Sequence, residues 1–271
     1  MTVDVGALWD FNDPAGSEAR FRQALSAAHG DDALVLRTQL ARAIGLRGEP
    51  GLARAELEAI RPLVERAGAE ALARWHLELG RTWVSAVTAP ADRTPDAVAA
   101  AATAYGRAFG IARDAGLDGL AIDAVHMQAI VASEPAEQLA WNERGLALSL
   151  ASSDPAARRW EASLRNNAGM ALHELGRHEE ALASFRAALA LRERMGDAGN
   201  TAVARWMVAW ELRTLGQTDE ALEIQLGLER ELDAAGTPDP FVFRELAALY
   251  RERGDEQRAA RYDARQAATT G

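Results

Sequence analysis

The sequence predicts an all-α protein built from repeated helical hairpins, and three observations support this fold class. Ala, Leu, Arg and Glu dominate the composition while Ile, Thr, Tyr and Phe are scarce, so helix-favouring residues outnumber strand-favouring ones. Small residues recur at fixed offsets along most of the chain. The 271 residues are 48% hydrophobic and 26% charged, which is enough for a sizeable core.

The recurring frame is clearest in residues 166–189, NNAGMALHELGRHEEALASFRAAL. Counted from Gly169, the glycine at +7 is Gly176, the small residue at +12 is Ala181, and the large apolar residue at +16 is Phe185. A glycine at +7 permits the left-handed backbone that ends a helix, and small residues let two antiparallel helices approach closely. The spacing therefore predicts a helix, a tight turn and a second helix.

Equivalent frames predict six hairpins, with anchor residues at 41, 80, 129, 169, 209 and 247. Before them, residues 1–31 should form an N-terminal segment with one capping helix, for which Asp13 or Ser17 is a suitable first residue. Residues 32–271 should then form a single solenoid domain. The last frame degrades after Ala259, as expected of a terminal helix that needs a polar outer face.

Two hairpins depart from the regular spacing. In the second, the partner helix arrives nine residues late, after the insert TAPADRTPD at 88–96, which predicts an exposed, proline-containing loop. In the third, it arrives three residues early across the sequence SEP, and Pro135 suits the first turn of a helix.

The frame resembles the tetratricopeptide repeat family, and one repeat carries the whole pattern at Gly169, Leu172, Gly176, Ala181, Phe185 and Ala188. The resemblance implies a right-handed superhelical solenoid of about six antiparallel hairpins, in which the first helix of each hairpin lines a concave groove. An anchor spacing of about 40 residues, rather than about 34, leaves HEAT repeats as an alternative. The regular units look like those of bacterial regulators whose repeats sense peptides or other ligands.

Composition argues against several functions. A net charge of −10 argues against binding to nucleic acid or to an anionic membrane. The N-terminal residues do not read as a signal peptide, and no apolar stretch reaches the length of a membrane span, so we expect a cytoplasmic protein. The chain has no Cys, and all 30 of its basic residues are Arg, which leaves no thiol nucleophile and no catalytic or phosphate-binding Lys.

The stretch HELGRH, residues 173–178, raises the question of a metal site. A zincin helix needs histidine at its first and fifth positions, but the fifth position here is Arg177. Gly176 also ends the helix between His173 and His178, which should leave His178 at the start of the next helix, in solvent. We therefore expect no metal ion.

Asp123 and His126 lie three residues apart on one helical face, which suits an acid–base pair but is far more common as a structural hydrogen bond. The nucleophile-elbow and dinucleotide-binding motifs are absent from the sequence. We expect a protein with no cofactor and no enzymatic activity. An enzyme that uses Asp123 with His126 or His173 is the alternative.

The resemblance also implies which side chains line the groove, because in this family they occupy the second, fifth, sixth, ninth, twelfth and thirteenth positions of each repeat. Trp206 and Trp210 are two of them, and being four residues apart they share one helical face. Burial of both rings between helices is the alternative. The expected partner-binding residues are Asp123, His126, Met127, Asn166, Asn167, Met170, His173, Trp206, Met207, Trp210, Arg213, Arg244 and Glu245.

We expect a non-catalytic scaffold that binds a protein or peptide in its groove. One alternative is a sensor subunit for a small ligand or signalling peptide, which a deep pocket closed by neighbouring repeats would favour. Another is a homo-oligomerisation scaffold with the Trp pair as the subunit contact. The family's Lys and Asn clamp for a partner's C-terminal carboxylate is matched only at Asn167, so a chaperone-tail adaptor is not expected.

Overall fold

A computed structural model describes residues 3–270, and within that range the chain is helical with no β-strand. The all-α prediction is therefore confirmed; residues 1, 2 and 271 of the predicted segments lie outside the described range. No helix in this range has the length and apolar content of a membrane span. The α-helices are α1 (Pro14–Leu25), α2 (Gly30–Leu46), α3 (Pro50–Val64), α4 (Ala69–Arg81), α5 (Pro95–Asp114), α6 (Asp118–Val131), α7 (Pro135–Ala151), α8 (Pro155–Arg158), α9 (Glu161–Glu174), α10 (His178–Met195), α11 (Ala198–Thr214), α12 (Thr218–Ala234), α13 (Pro240–Glu252) and α14 (Glu256–Thr270).

The chain divides into two compact units, the first ending at Trp160 and the second beginning at Glu161. In the first unit α2 packs on α3, α4 on α5 and α6 on α7, and α1 covers α2. In the second unit α9 packs on α10, α11 on α12 and α13 on α14. These are the six predicted hairpins and the predicted capping helix. A single solenoid domain over residues 32–271 stays a prediction.

The N-terminal helix α1 begins after Asp13, one of the two first residues suggested by the sequence. Asp13 accepts a hydrogen bond from the backbone N–H of Gly16 at 2.9 Å and so caps α1. Ser17 is instead buried within the first turn, where its hydroxyl donates to the carbonyl oxygen of Asp10 at 2.9 Å.

Two of the six hairpins, the second and the fourth, close on a contact between a glycine and an aromatic ring. A Cβ atom added to Gly169 would lie 2.6 Å from the ring of Phe185, and one added to Gly80 would lie 2.4 Å from the ring of Tyr105. Both rings are fully buried. The second pair is nine residues farther apart in sequence than the first, so the insert leaves the helix–helix contact unchanged, as predicted.

The turn between α9 and α10 is made by Gly176, which adopts φ +72°. Its N–H donates to the carbonyl oxygen of His173 at 2.8 Å, and the next N–H, of Arg177, donates to that of Leu172 at 2.9 Å. These bonds satisfy the last carbonyl groups of α9 and reverse the chain within three residues.

The insert of the second hairpin connects α4 to α5 through residues 82–94 and is largely exposed, as predicted. Thr94 caps α5 by accepting a hydrogen bond from Ala97, so the last two residues of the predicted loop belong to the helix. Arg93 donates to the carbonyl oxygens of Ser85 at 3.0 Å and of Ile130 at 3.3 Å, which ties the connection to the end of α6.

We predict that Gly169→Ala lowers the free energy of unfolding by about 1–3 kcal/mol, because the new methyl group overlaps a ring that is fully buried. Gly227→Ala is the matched control, since Gly227 lies inside α12 and its Cβ would meet only the end of Arg230 at 3.9 Å. That variant should gain roughly 0.5–1 kcal/mol from the higher helix propensity of alanine. Urea denaturation measures both, and equal stabilisation of the two variants would contradict the close contact.

One buried histidine makes the fold sensitive to acid. His76 of α4 lies edge-on against Trp75, with 4.9 Å between the ring centroids. Its Nδ1 atom is buried and has no hydrogen-bond partner among the described residues. Burial, reinforced by the charges of Arg107 and Arg61, lowers the pKa of His76 to about 4.

We predict that the protein loses stability as the pH falls from about 6.5 to 4. In that window the unfolded chain binds a proton at His76 that the folded chain does not, so folding stability rises with pH. Between pH 7 and pH 5, His76→Leu should lose about 2 kcal/mol less free energy of unfolding than the unmodified protein. Urea denaturation at both pH values tests this, with the exposed His29 changed to Gln as the histidine control.

Candidate ligand-binding site

The first unit contains a cavity of about 670 Å³. Its walls come from α2, α4 and α6, which are the first helices of three consecutive hairpins, together with the start of α3 and the 82–94 connection. Because successive hairpins repeat one geometry, equivalent faces of their first helices come together. The side chains that determine its chemistry are Arg42, Arg54, Arg81, Trp83, Asp123, His126 and Trp160.

An ionic network forms the floor of this cavity. Arg81 donates to the carboxylate of Glu78 at 2.7 Å and to that of Asp123 at 2.5 Å, and both carboxylates are buried. Burial opposes ionisation of Asp123, but the positive charges of Arg81 and Arg42 outweigh it and lower its pKa. The same carboxylates raise the pKa of Arg81 despite its burial. Asp123 and Arg81 therefore form an ionised pair at neutral pH.

Arg42 is the cavity arginine whose guanidinium is not fully paired with acceptors of the protein. Its Nη1 atom is 3.8 Å from Glu78, and its guanidinium carbon lies 5.5 Å from the ring centroid of Trp9 and 5.1 Å from that of Phe11. Its Nε atom is buried with no hydrogen-bond partner among the described residues. An unmade bond at a buried charged donor is costly, and the Arg42 side chain as a whole remains partly exposed.

Aromatic side chains form the walls. The guanidinium carbon of Arg54 lies 3.4 Å from the ring centroid of Trp83, and this arginine donates to the hydroxyl of Thr82 at 3.1 Å and to its carbonyl at 2.7 Å. The rings of His126 and Trp160 are 5.3 Å apart. Burial lowers the pKa of His126 although Asp123 opposes the shift, so the imidazole is neutral at pH 7.

The structure brings Asp123, His126 and Met127 to the wall of this cavity. Asp123 is committed to Arg81 at its floor. Met127 is largely buried and presents little surface to the cavity, and its expected role as a groove residue stays a prediction.

In the second unit, the predicted residues form a continuous aromatic row. Trp206 and Trp210 stack with 5.9 Å between centroids and 16° between planes, so the shared face is confirmed. Phe241 meets Trp206 at 6.4 Å, and Trp210 lies 3.9 Å from His173, whose ring is 5.1 Å from that of His178. Both indoles are half-buried and Phe241 is exposed, so the row is neither fully core nor fully open.

Two of the groove positions that the resemblance implied, the sixth and the ninth, differ in how much of their side-chain surface is buried. Met127, Met207, Glu245 and Asn167 all occupy the sixth position; the first three are buried and Asn167 is half-buried, and their place in the groove stays a prediction. Of these residues, Glu245 faces the preceding hairpin, where it pairs with Arg213 at 2.8 Å. Ninth-position residues, such as Arg81 and Trp210, keep part of their surface exposed.

The remaining predicted residues lie on the first helices of the second unit. Arg213 pairs with buried Glu245 at 2.8 Å and with Glu252 at 3.0 Å. The guanidinium carbon of Arg244 lies 5.2 Å from the ring centroid of Phe241, at one end of the aromatic row. Half-buried side chains on α9 complete the predicted set at Asn166, Asn167 and Met170.

The prediction missed several cavity residues. Counted from Leu34 and Ala73, the positional rule that selected Trp210 also selects Arg42 and Arg81 as ninth-position residues, so this signal was available in the sequence. Trp160 lies outside any helix of the regular frame, and no spacing pattern points to it.

Residues 160–225 match the model of the tetratricopeptide repeat family, and this segment therefore consists of tetratricopeptide repeats. It covers the part of the chain where the frame is most regular. No curated protein matches the chain in sequence.

Solved structures extend the likeness to nearly the whole chain. A signal-transduction ATPase with a tetratricopeptide repeat sensor, from Pyrococcus horikoshii, matches 94% of this chain with a TM-score of 0.74 and 10% identity, although the match spans only 39% of that protein. A Rap protein complexed with Competence and Sporulation Factor matches 94% of this chain and 79% of its own, with a TM-score of 0.57 and 12% identity. The apo form of the quorum sensor NprR from B. thuringiensis matches 97% and 83%, with a TM-score of 0.56 and 11% identity. At such low identity these likenesses show the fold, which is that of a tetratricopeptide repeat solenoid.

We predict that Asp123→Ala lowers the free energy of unfolding by about 3–5 kcal/mol, because it leaves the buried charge of Arg81 without one of its two carboxylates. Asp114→Ala is the control, since Asp114 is exposed and pairs only with its neighbour Arg113; its effect should stay within about 0.5 kcal/mol. Urea denaturation of both variants checks this. Similar small losses in the two would show that the floor network contributes little to stability.

Proposed function

We propose that this chain is a non-catalytic binding protein that takes a short peptide into the cavity of its first unit. The observation that carries the proposal is the cavity itself, with side chains of three successive first helices on its walls. Its volume of about 670 Å³ lies within the roughly 300–1,000 Å³ typical of ligand pockets. A pocket of this size favours a sensor of a short peptide or small ligand over an adaptor that holds a folded partner.

The apolar part of the lining and the rings of Trp83 and Trp160 suit a peptide side chain or backbone segment. Arg81 and Arg54 already have protein partners, so they shape the cavity more than they attract a ligand. Arg42 is different, because its guanidinium is paired only loosely, with Nη1 3.8 Å from Glu78, and its side chain is partly exposed. We propose that Arg42 receives a carboxylate of the ligand, such as the C-terminus of a peptide.

The comparisons support this proposal by analogy. The Rap protein is seen in complex with Competence and Sporulation Factor, and NprR is a quorum sensor. Both share the fold of this chain. We accordingly propose that the protein acts in the cytoplasm on a peptide or protein partner, and its net charge of −10 argues against a nucleic acid or an anionic membrane.

The aromatic row of the second unit supports a second contact, with a protein partner or another copy of the chain. Phe241 is 55% exposed and continues the half-buried Trp206 and Trp210. Large rings at an accessible surface often dominate binding energy. We propose Asn166, Asn167 and Met170, on the preceding first helix, as further members of this contact.

We predict that Ala86→Trp abolishes peptide binding without unfolding the protein. Ala86 is an exposed residue of the 82–94 connection that lines the cavity, so an indole there fills space meant for the ligand. Ala91→Trp is the matched control, because Ala91 is exposed on the same connection but does not line the cavity. Circular dichroism confirms that both variants remain helical.

Short random peptides are selected on the unmodified protein, and the enriched peptides are measured by titration calorimetry. We expect them to bind Ala91→Trp like the unmodified protein and to bind Ala86→Trp at least tenfold more weakly. Amidation of the peptide C-terminus should weaken binding about tenfold, but not in Arg42→Gln, which already lacks the charged donor. Failure to enrich any peptide, or equal binding to Ala86→Trp, would contradict the proposal.

A further inference from the structure

His173, His178 and Glu211 converge in the second unit, although the sequence argument separated the two histidines. The turn at Gly176 ends α9 and folds the first residue of α10 back beside the last turn of α9. The Nδ1 atom of His173 lies 2.7 Å from Oε2 of Glu211, and the Nδ1 atom of His178 lies 2.8 Å from Oε1. The break in the helix, which was the reason to dismiss a metal site, is what brings the rings together.

Glu211 differs from the other buried carboxylates of the described chain. Glu18, Glu78, Asp123 and Glu245 each form an ion pair with at least one arginine. Glu211 is fully buried, and both of its oxygens face imidazole rings. Arginine carries a permanent charge whereas imidazole does not, so this site lacks the fixed cation that the other four have.

We propose that the cluster formed by His173, His178 and Glu211 binds a divalent transition-metal ion, with zinc as the best match. Two imidazoles and one carboxylate form a known zinc ligand set that leaves a fourth position for water. Zinc would supply a positive charge next to Glu211, and the two imidazoles would bind it through Nδ1 in their neutral form, with the ring proton on Nε2.

The geometry is close to what coordination requires. One donor atom from each of the three residues lies within 4.8 Å of the others. A tetrahedral ion with bonds of about 2.0–2.2 Å brings its ligands to roughly 3–3.5 Å from one another, so only small rotations are needed. The side chains of His173 and His178 are 20% and 32% exposed, which leaves them room to turn and gives solvent access for the fourth ligand.

The site is anchored to the aromatic row. The ring of His173 lies 3.9 Å from that of Trp210, which neighbours Glu211 on α11. Metal coordination would fix this imidazole against the indole and hold α9, α10 and α11 together at one point. The inference concerns the second unit alone and does not depend on peptide binding in the cavity of the first.

The test uses the full chain without a histidine tag, dialysed against zinc chloride and analysed for bound metal, with titration calorimetry for affinity. We expect one zinc ion per chain and an increase in melting temperature. Magnesium chloride, the control metal, should give neither, because magnesium prefers an all-oxygen ligand set.

His173→Asn and His178→Asn should each weaken zinc binding at least tenfold, whereas His29→Asn, at an exposed histidine far from the cluster in sequence, should bind like the unmodified protein. Glu211→Gln keeps the side-chain volume and should also lower the affinity for zinc. If Glu211→Gln fails to fold, the variants of the two half-buried histidines still test the proposal. Substoichiometric zinc in the unmodified protein, or stoichiometric zinc retained at unchanged affinity by both His173→Asn and His178→Asn, would overturn the proposal. Peptide binding measured in parallel reports separately on the cavity.

Discussion

A buried carboxylate is unfavourable unless a cation or several donors accompany it, and both candidate sites of this protein are built on that constraint. The chain has no lysine, so arginine and histidine must provide the partners. Arg81 of α4 pairs with Asp123 of α6, and His173 of α9 contacts Glu211 of α11. Each pair joins the first helices of consecutive hairpins within one unit. The ionic contacts therefore bind neighbouring hairpins to each other and lie at the surfaces where a ligand would sit.

The hairpins present those surfaces because their helices approach closely on the opposite side. At Gly80 and Gly169 the partner ring occupies the space of a missing side chain. Sixth-position Glu245 is buried and pairs with Arg213 of the preceding hairpin, whereas ninth-position Arg81 and Trp210 keep part of their surface exposed. The ninth position supplies Arg42 and Arg81 to the cavity of the first unit and Trp210 to the aromatic row of the second.

The fold was predictable from the sequence because it depends on local spacing. Glycine and alanine offsets located all six hairpins and the late second helix of the second one. The site was predictable only in part. The positional rule found the Trp206–Trp210 face, but it could not show that Met207 is buried, because the spacing of one helix does not encode how much surface its neighbours cover. His173 and His178 were expected to lie apart because a helix ends between them. A tight turn, however, brings the residues on its two sides together.

The two sites differ in the interactions they leave for a ligand. In the cavity, Arg81 has already matched its charge to Glu78 and Asp123, so a ligand gains little from contacting the floor. Selectivity there must come from the shape of the aromatic walls and from the single buried donor of Arg42. In the second unit the carboxylate of Glu211 contacts two imidazole rings rather than an arginine, so a metal ion would not have to break a permanent ion pair there. The arginine pairs of the first unit therefore suit a pocket that is formed before a ligand binds. The imidazoles around Glu211 in the second unit suit a site that a metal cation completes.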